Sequence, residues 1–74
     1  LSLAVPRLTP ATLSVYSATG ALVRTLADGT LKPGYYAIVW NGRDAFGGLV
    51  PSGIYLYRLE ATGYSATGKV LLGR

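Results

Sequence analysis

With 74 residues, the chain has length for one domain only, and a core that small rarely supplies more than about 3–5 kcal/mol. It has no cysteine and no histidine, which excludes disulfides, thiolate metal sites and an imidazole base working near neutral pH. The net charge of +4 comes from cations scattered singly, at Arg7, Arg24, Lys32, Arg43, Arg58, Lys69 and Arg74. Nucleic-acid binders cluster such residues on one element with aromatics interleaved, so no nucleic-acid partner is expected.

From the N-terminus, Leu1, Leu3 and Val5 alternate with Ser2 and Ala4, a first strand stopped by Pro6. The stretch is too short for the apolar region of a signal peptide, and no apolar run approaches membrane-spanning length. The chain therefore reads as a mature segment or an excised module. Prolines at both ends of Pro6–Pro10 resist a tight hairpin and favour an extended arm over residues 1–5. Such an arm can complete its own sheet or add to a neighbour's, as donor strands do.

Thr12–Tyr16 follows with Leu13 and Val15 on one face, then a hairpin turn at Ser17–Gly20 and a return strand over 21–26 closed by residues 27–30. Lys32-Pro33-Gly34 carries the signature of a type II turn. The next strand, Tyr35–Trp40, places Tyr36, Ile38 and Trp40 on one face. Ile54–Ala61 is apolar on both faces (Ile54 and Leu56 against Tyr55, Tyr57 and Leu59), which predicts a central strand covered on both sides. Thr62–Ser65 turns the chain into a last strand over 66–72. Six or seven short antiparallel strands at regular spacing predict an all-β sandwich. No helix follows any glycine, so the glycines shape turns and do not cradle phosphate.

Between the strands lies Trp40-Asn41-Gly42-Arg43-Asp44, then Phe46-Gly47-Gly48, then Val50-Pro51-Ser52-Gly53. Asn41 and Asp44 are oxygen ligands suited to Ca²⁺, but a single carboxylate is a poor cage for that ion. The favoured reading is that Asn41, Asp44, Gly47, Pro51 and Gly53 structure the turn, with the two side chains accepting backbone N–H bonds. No metal and no cofactor is expected. Asp28, Asp44 and Glu60 fall in three different elements, and no serine has a histidine or a Ser-x-x-Lys spacing to activate it, so no catalytic residue is assigned. Aromatic faces offer stacking platforms for sugars, and Tyr16, Tyr35 and Tyr64 are the tyrosines that strand alternation leaves free of the core.

The series Leu13-Ser14-Val15-Tyr16, Gly20, Leu22-Val23-Arg24-Thr25-Leu26, Gly34, Trp40-Asn41-Gly42-Arg43-Asp44, Gly47, Val50-Pro51-Ser52-Gly53-Ile54-Tyr55 and Lys69-Val70-Leu71-Leu72 resembles the Ig-like domain of the flagellar hook-capping protein. It is equally similar to the C-terminal Ig-like modules that act as type IX secretion sorting signals in Bacteroidota-like surface proteins. The resemblance covers residues 12–73 and implies a single Ig-like, fibronectin-III-like sandwich over residues 1–74. It further implies a non-catalytic bacterial module at the cell surface or outside the cell, serving attachment, secretion sorting or assembly. Together with the apolar arm, with Leu1, Leu3 and Val5 as its contact residues, it suggests a head-to-tail filament subunit. The expected partners are copies of itself or domains of a parent protein. The alternative is a carbohydrate-binding accessory module that takes a glycan on its exposed tyrosines.

Overall fold

Alternating apolar residues between closely spaced turn formers leave this chain little to build except strands. A computed structural model, which describes residues 2–73, contains six: β1 (Ser2–Val5), β2 (Thr9–Ser17), β3 (Leu22–Leu31), β4 (Gly34–Ala37), β5 (Gly53–Ala61) and β6 (Tyr64–Leu72). They form two antiparallel sheets, a small one of β1 and β4 and a larger one in the order β3-β2-β5-β6. The chain crosses between the sheets after β1, after β3 and after β4, which makes the architecture a sandwich and not a meander.

The core lies between the two layers. Leu13, Val15 and Leu59 are its fully buried side chains. Ala11, Leu13 and Leu59 form the central cluster, and Leu3 of β1 and Ile38 just beyond β4 pack on it from the small sheet. Val5 is also buried, while Leu1 lies outside the described residues. The first strand pairs within its own chain, Ser2 opposite Ala37 through to Val5 opposite Gly34.

Several element boundaries differ from the sequence expectation, each for a physical reason. β2 begins at Thr9 and contains Pro10, which pairs with Thr30 of β3. Pairing of β2 with β5 starts only at Ala11, so Pro10 sits where the strand has a neighbour on one side, the place where a missing N–H is tolerated. β3 runs on through residues 27–30, with two register irregularities opposite Leu13–Tyr16 absorbing the twist. At Lys32-Pro33-Gly34 the chain changes sheets, and Gly34 already belongs to β4 with φ +149°, far from the roughly +80° of a type II turn. β4 stops at Ala37, where its pairing with the short β1 ends at Ser2.

β5 is central in sheet order but is not covered on both faces. Leu59 is buried in the cluster that Leu3 and Ile38 cover and Tyr55 is buried against Trp40, whereas Ile54 and Leu56 on the opposite face are 50% and 36% exposed. A two-stranded partner sheet covers one side of a four-stranded one and has nothing left for the other. That outer face carries Leu22, Tyr16 and Leu56 side by side across β3, β2 and β5, with Ile54 beside Leu71 in the adjoining row of β5 and β6.

One glycine is fixed by close packing and not by its dihedral angles. Gly68 of β6 lies opposite Tyr57, whose ring covers it; a Cβ placed there would sit 2.3 Å from the ring. Gly68→Ala must displace Tyr57 from the inner layer, and an overpacked position of this kind costs about 1–3 kcal/mol. The expected result is a lower urea midpoint with an unchanged slope, and an unaltered midpoint would show that the ring moves freely.

Candidate functional site

The polar cluster at Trp40–Val50 is the richest in side-chain chemistry, and its groups are engaged with each other. Asn41 Oδ1 accepts from the Arg43 N–H at 3.1 Å and from the Arg24 guanidinium at 3.1 Å, which ties the loop to β3. Asp44 Oδ1 accepts from the N–H groups of Phe46 and Gly48, both at 2.9 Å. Its backbone N–H donates to the Gly48 carbonyl at 2.8 Å, and its carbonyl accepts from Gly47 at 3.1 Å. Gly47 takes φ +84°, a left-handed conformation that side-chain-bearing residues rarely adopt.

The rim is braced in the same manner. The Trp40 indole N–H donates to the Arg43 carbonyl at 2.9 Å, and the Arg43 guanidinium reaches the Gly47 carbonyl at 2.8 Å. Trp40 meets Tyr55 edge to face, with ring centroids 5.0 Å apart, an arrangement worth about 0.5–1.5 kcal/mol beyond area burial. The Tyr55 hydroxyl donates to the Pro51 carbonyl at 2.5 Å, and Gly53 opens β5 opposite Leu72. The Ala45 N–H donates to the Val23 carbonyl at 3.2 Å, so the loop also covers the start of the β3 edge. Phe46, at its tip, is 98% exposed.

Because Asp44 Oδ1 holds two N–H groups, Asp44→Ala is expected to cost about 1–2 kcal/mol. That corresponds to a fall in Tm of about 4–8 °C per kcal/mol in a domain of this size. Asp44→Asn keeps the accepting oxygen and should lose less than half as much. Equal losses for the two variants in a thermal melt would contradict the hydrogen-bonding role.

The acidic residues have an arrangement that local sequence does not reveal. Thr12 lies opposite Asp28 on one side and Glu60 on the other, so strand register brings these two carboxylates onto one face. Two strand spacings separate them, roughly 10 Å. Asp28 accepts from Thr12 Oγ1 at 3.1 Å, and Glu60 pairs with Arg58 at 2.9 Å, a surface pair that contributes little. Each carboxylate therefore already has a partner on an open face. Only the pairing of β2 with both neighbours, a long-range property, could have disclosed the arrangement. Among the described residues, no group of three His, Cys, Asp or Glu side chains is placed to hold a metal ion.

The three candidate platform tyrosines occupy two different places. Tyr35, 93% exposed, and Tyr64 line one shallow cleft with Val5, Pro6 and Gly34. Tyr16 lies on the outer face of the larger sheet, in a trough with Leu56, Arg58, Thr67 and Lys69. Neither the cleft nor the trough holds a carboxylate or side-chain amide. No helix among the described residues is long and apolar enough to cross a membrane.

A two-sheet antiparallel sandwich with a self-bonded Trp-Asn-Gly-Arg-Asp loop defines an Ig-like structural domain, six strands in this case. The family model of the FlgD Ig-like domain matches residues 5–65, and the chain belongs to that family. The family takes its name from the flagellar hook-capping protein and is structural and non-catalytic. No curated protein and no solved structure matches the chain.

Proposed function

We propose that this domain is an extracellular bacterial assembly module that joins protein neighbours through the edges of its sheets. The observation that carries this reading is a contrast within the domain. The polar groups of the Trp40–Val50 loop are engaged internally, whereas among the described residues β1 and β6 each pair with a single strand and leave a second backbone edge without a strand. Unpaired edges are templates for another chain. Family membership supports the extracellular setting, since the hook-capping family is exported for flagellum assembly.

Within this reading, β1 supplies Leu3 and Val5 to its own core and offers a four-residue outer edge to a neighbour, the contact a head-to-tail filament requires. Light scattering coupled to size-exclusion chromatography, with electron microscopy of the eluted species, tests the proposal. Concentration-dependent association is expected, and a monomer at every concentration would remove the assembly reading. Attachment or secretion sorting is tested separately, by grafting the domain onto a reporter in a type IX-competent cell and scoring export.

A second reading rests on the cleft shared by Tyr35 and Tyr64, two rings on which a sugar can stack. Polysaccharide pull-down, lost on Tyr35→Ala with Tyr64→Ala, would support it. Retention by neither the native chain nor the variant would remove it.

A further inference from the structure

The strand edges are not equivalent. The free side of β3 is covered at Val23 by the Ala45 N–H, tied at Arg24 to Asn41, and distorted by two register irregularities between Leu22 and Ala27. β1 and β4 are four residues each. β6 is nine residues long, pairs with β5 in unbroken register from Tyr64 to Leu72, and among the described residues has no strand on its other side. It contains no proline, and Lys69 is its only charge. The devices by which proteins blunt an edge (short strands, prolines, bulges, several charges or a covering loop) are present at β3, β1 and β4 and nearly absent from β6. Its inward-facing residues are also incompletely covered: Ala66, Val70 and Leu72 are half-buried and Tyr64 is exposed.

We propose, as a refinement of the edge-assembly reading on which it rests, that β6 is a self-pairing edge joining two copies of this chain antiparallel about Gly68. A two-fold axis normal to the sheet keeps inward residues facing inward, and full overlap of the nine residues puts the axis at the strand's midpoint. Tyr64 then lies opposite Leu72 and Ala66 opposite Val70, so both inward pairs are apolar. On the outer face, Thr67 lies opposite Lys69, and Leu71 opposite Ser65. The register separates the lone lysine from its twin, which a shift of the axis to Lys69 would not do. The result is a continuous sheet of eight strands, within the size that twisted open sheets sustain. It is an isologous contact, the commonest kind among homo-oligomers.

The register makes Thr67 diagnostic, because in the single chain it is exposed opposite Arg58 and it lies directly opposite Lys69 only in the pair. Sedimentation equilibrium of the purified chain should show a dimer. Thr67→Lys places like charges directly opposite and should abolish dimerisation. Thr67→Glu should tighten it at low salt, with the gain lost at high salt. Ala4→Lys, on the exposed side of β1, should leave it unchanged. Association that ignores both Thr67 variants but is lost with Ala4→Lys would overturn the β6 assignment while keeping edge assembly. A native chain that is monomeric throughout would overturn both. Circular dichroism melts of the diluted variants, in which residue 67 also lies opposite the chain's own Arg58, separate loss of pairing from loss of folding.

Discussion

Replacing Leu59 with alanine is expected to unfold the domain at room temperature. Leu59 is 1% exposed and packs with Leu13 and Ala11 at the centre of the core cluster the two layers share. Truncating a buried leucine costs about 2–5 kcal/mol, the transfer of the lost methyl groups plus the cavity they leave. A domain of this size has about 3–5 kcal/mol in total, and this one has no disulfide to add to it. Leu71→Ala is the matched control, since that leucine is 80% exposed, and exposed substitutions ordinarily change stability by within about 0.5 kcal/mol. Urea titrations followed by Trp40 fluorescence distinguish the two. A cooperative transition for Leu59→Ala close to the native midpoint would show that the core does not lie where the two sheets meet.

Deleting residues 1–5 is expected to have an effect of similar size by another route. β1 is half of the smaller sheet, and Val5 and Leu3 bury apolar surface against the larger one. Its removal leaves β4 with no strand partner, and a lone strand does not hold itself over a sheet face. The inner face of β2 and β5 would then lie open over the positions of Leu13 and Leu59. The shortened chain should show lost near-ultraviolet dichroism and dye binding typical of exposed apolar surface. A detachable arm gives the opposite outcome, a folded monomer that has lost only association. Adding the missing strand back as a separate peptide provides a check, because it should restore the fold in proportion to peptide concentration.

Much of the fold was legible because its signals are local. Period-two alternation at Leu13–Val15 and Tyr55–Leu59, glycine at the turns, and proline before β2 each act over a few residues, and the strands fell where those signals lie. The Asn41 and Asp44 side chains were legible for the same reason, since an Asx turn is closed within four residues. What local pattern does not carry is the order of strands in a sheet. Two apolar faces on Ile54–Leu59 describe a strand buried on both sides equally well as one with an open apolar face. The choice depends on a second layer being wide enough, and here it has two strands against four. The meeting of Asp28 with Glu60 across Thr12, and the isolation of β6 at an unblunted edge, are likewise consequences of which strand lies beside which. Pro10 shows the converse, a residue whose local rule for ending strands yields to its position beside a single neighbour.

Family membership fits this division between fold and work. The FlgD Ig-like domain family is structural, and a sandwich of this type does not by itself fix a role. Here, the residues most suggestive of a site are those holding the Trp40–Val50 turn closed, and the backbone groups left over lie along strand margins. Phe46 is presented to solvent on a tip that Asp44 and Gly47 hold in place, and Leu49 of the same loop is exposed as well.

Amide hydrogen exchange read residue by residue, in dilute and in concentrated samples, tests this division most directly. Phe46 and Gly48 amides should be slow in both, because Asp44 holds them whether or not a neighbour is present. Amides of β6 that point away from β5 should exchange freely when dilute and become protected when concentrated. Protection that appears instead in the Trp40–Val50 loop on concentration, with the β6 margin unchanged, would contradict the account and return the working surface to the loop.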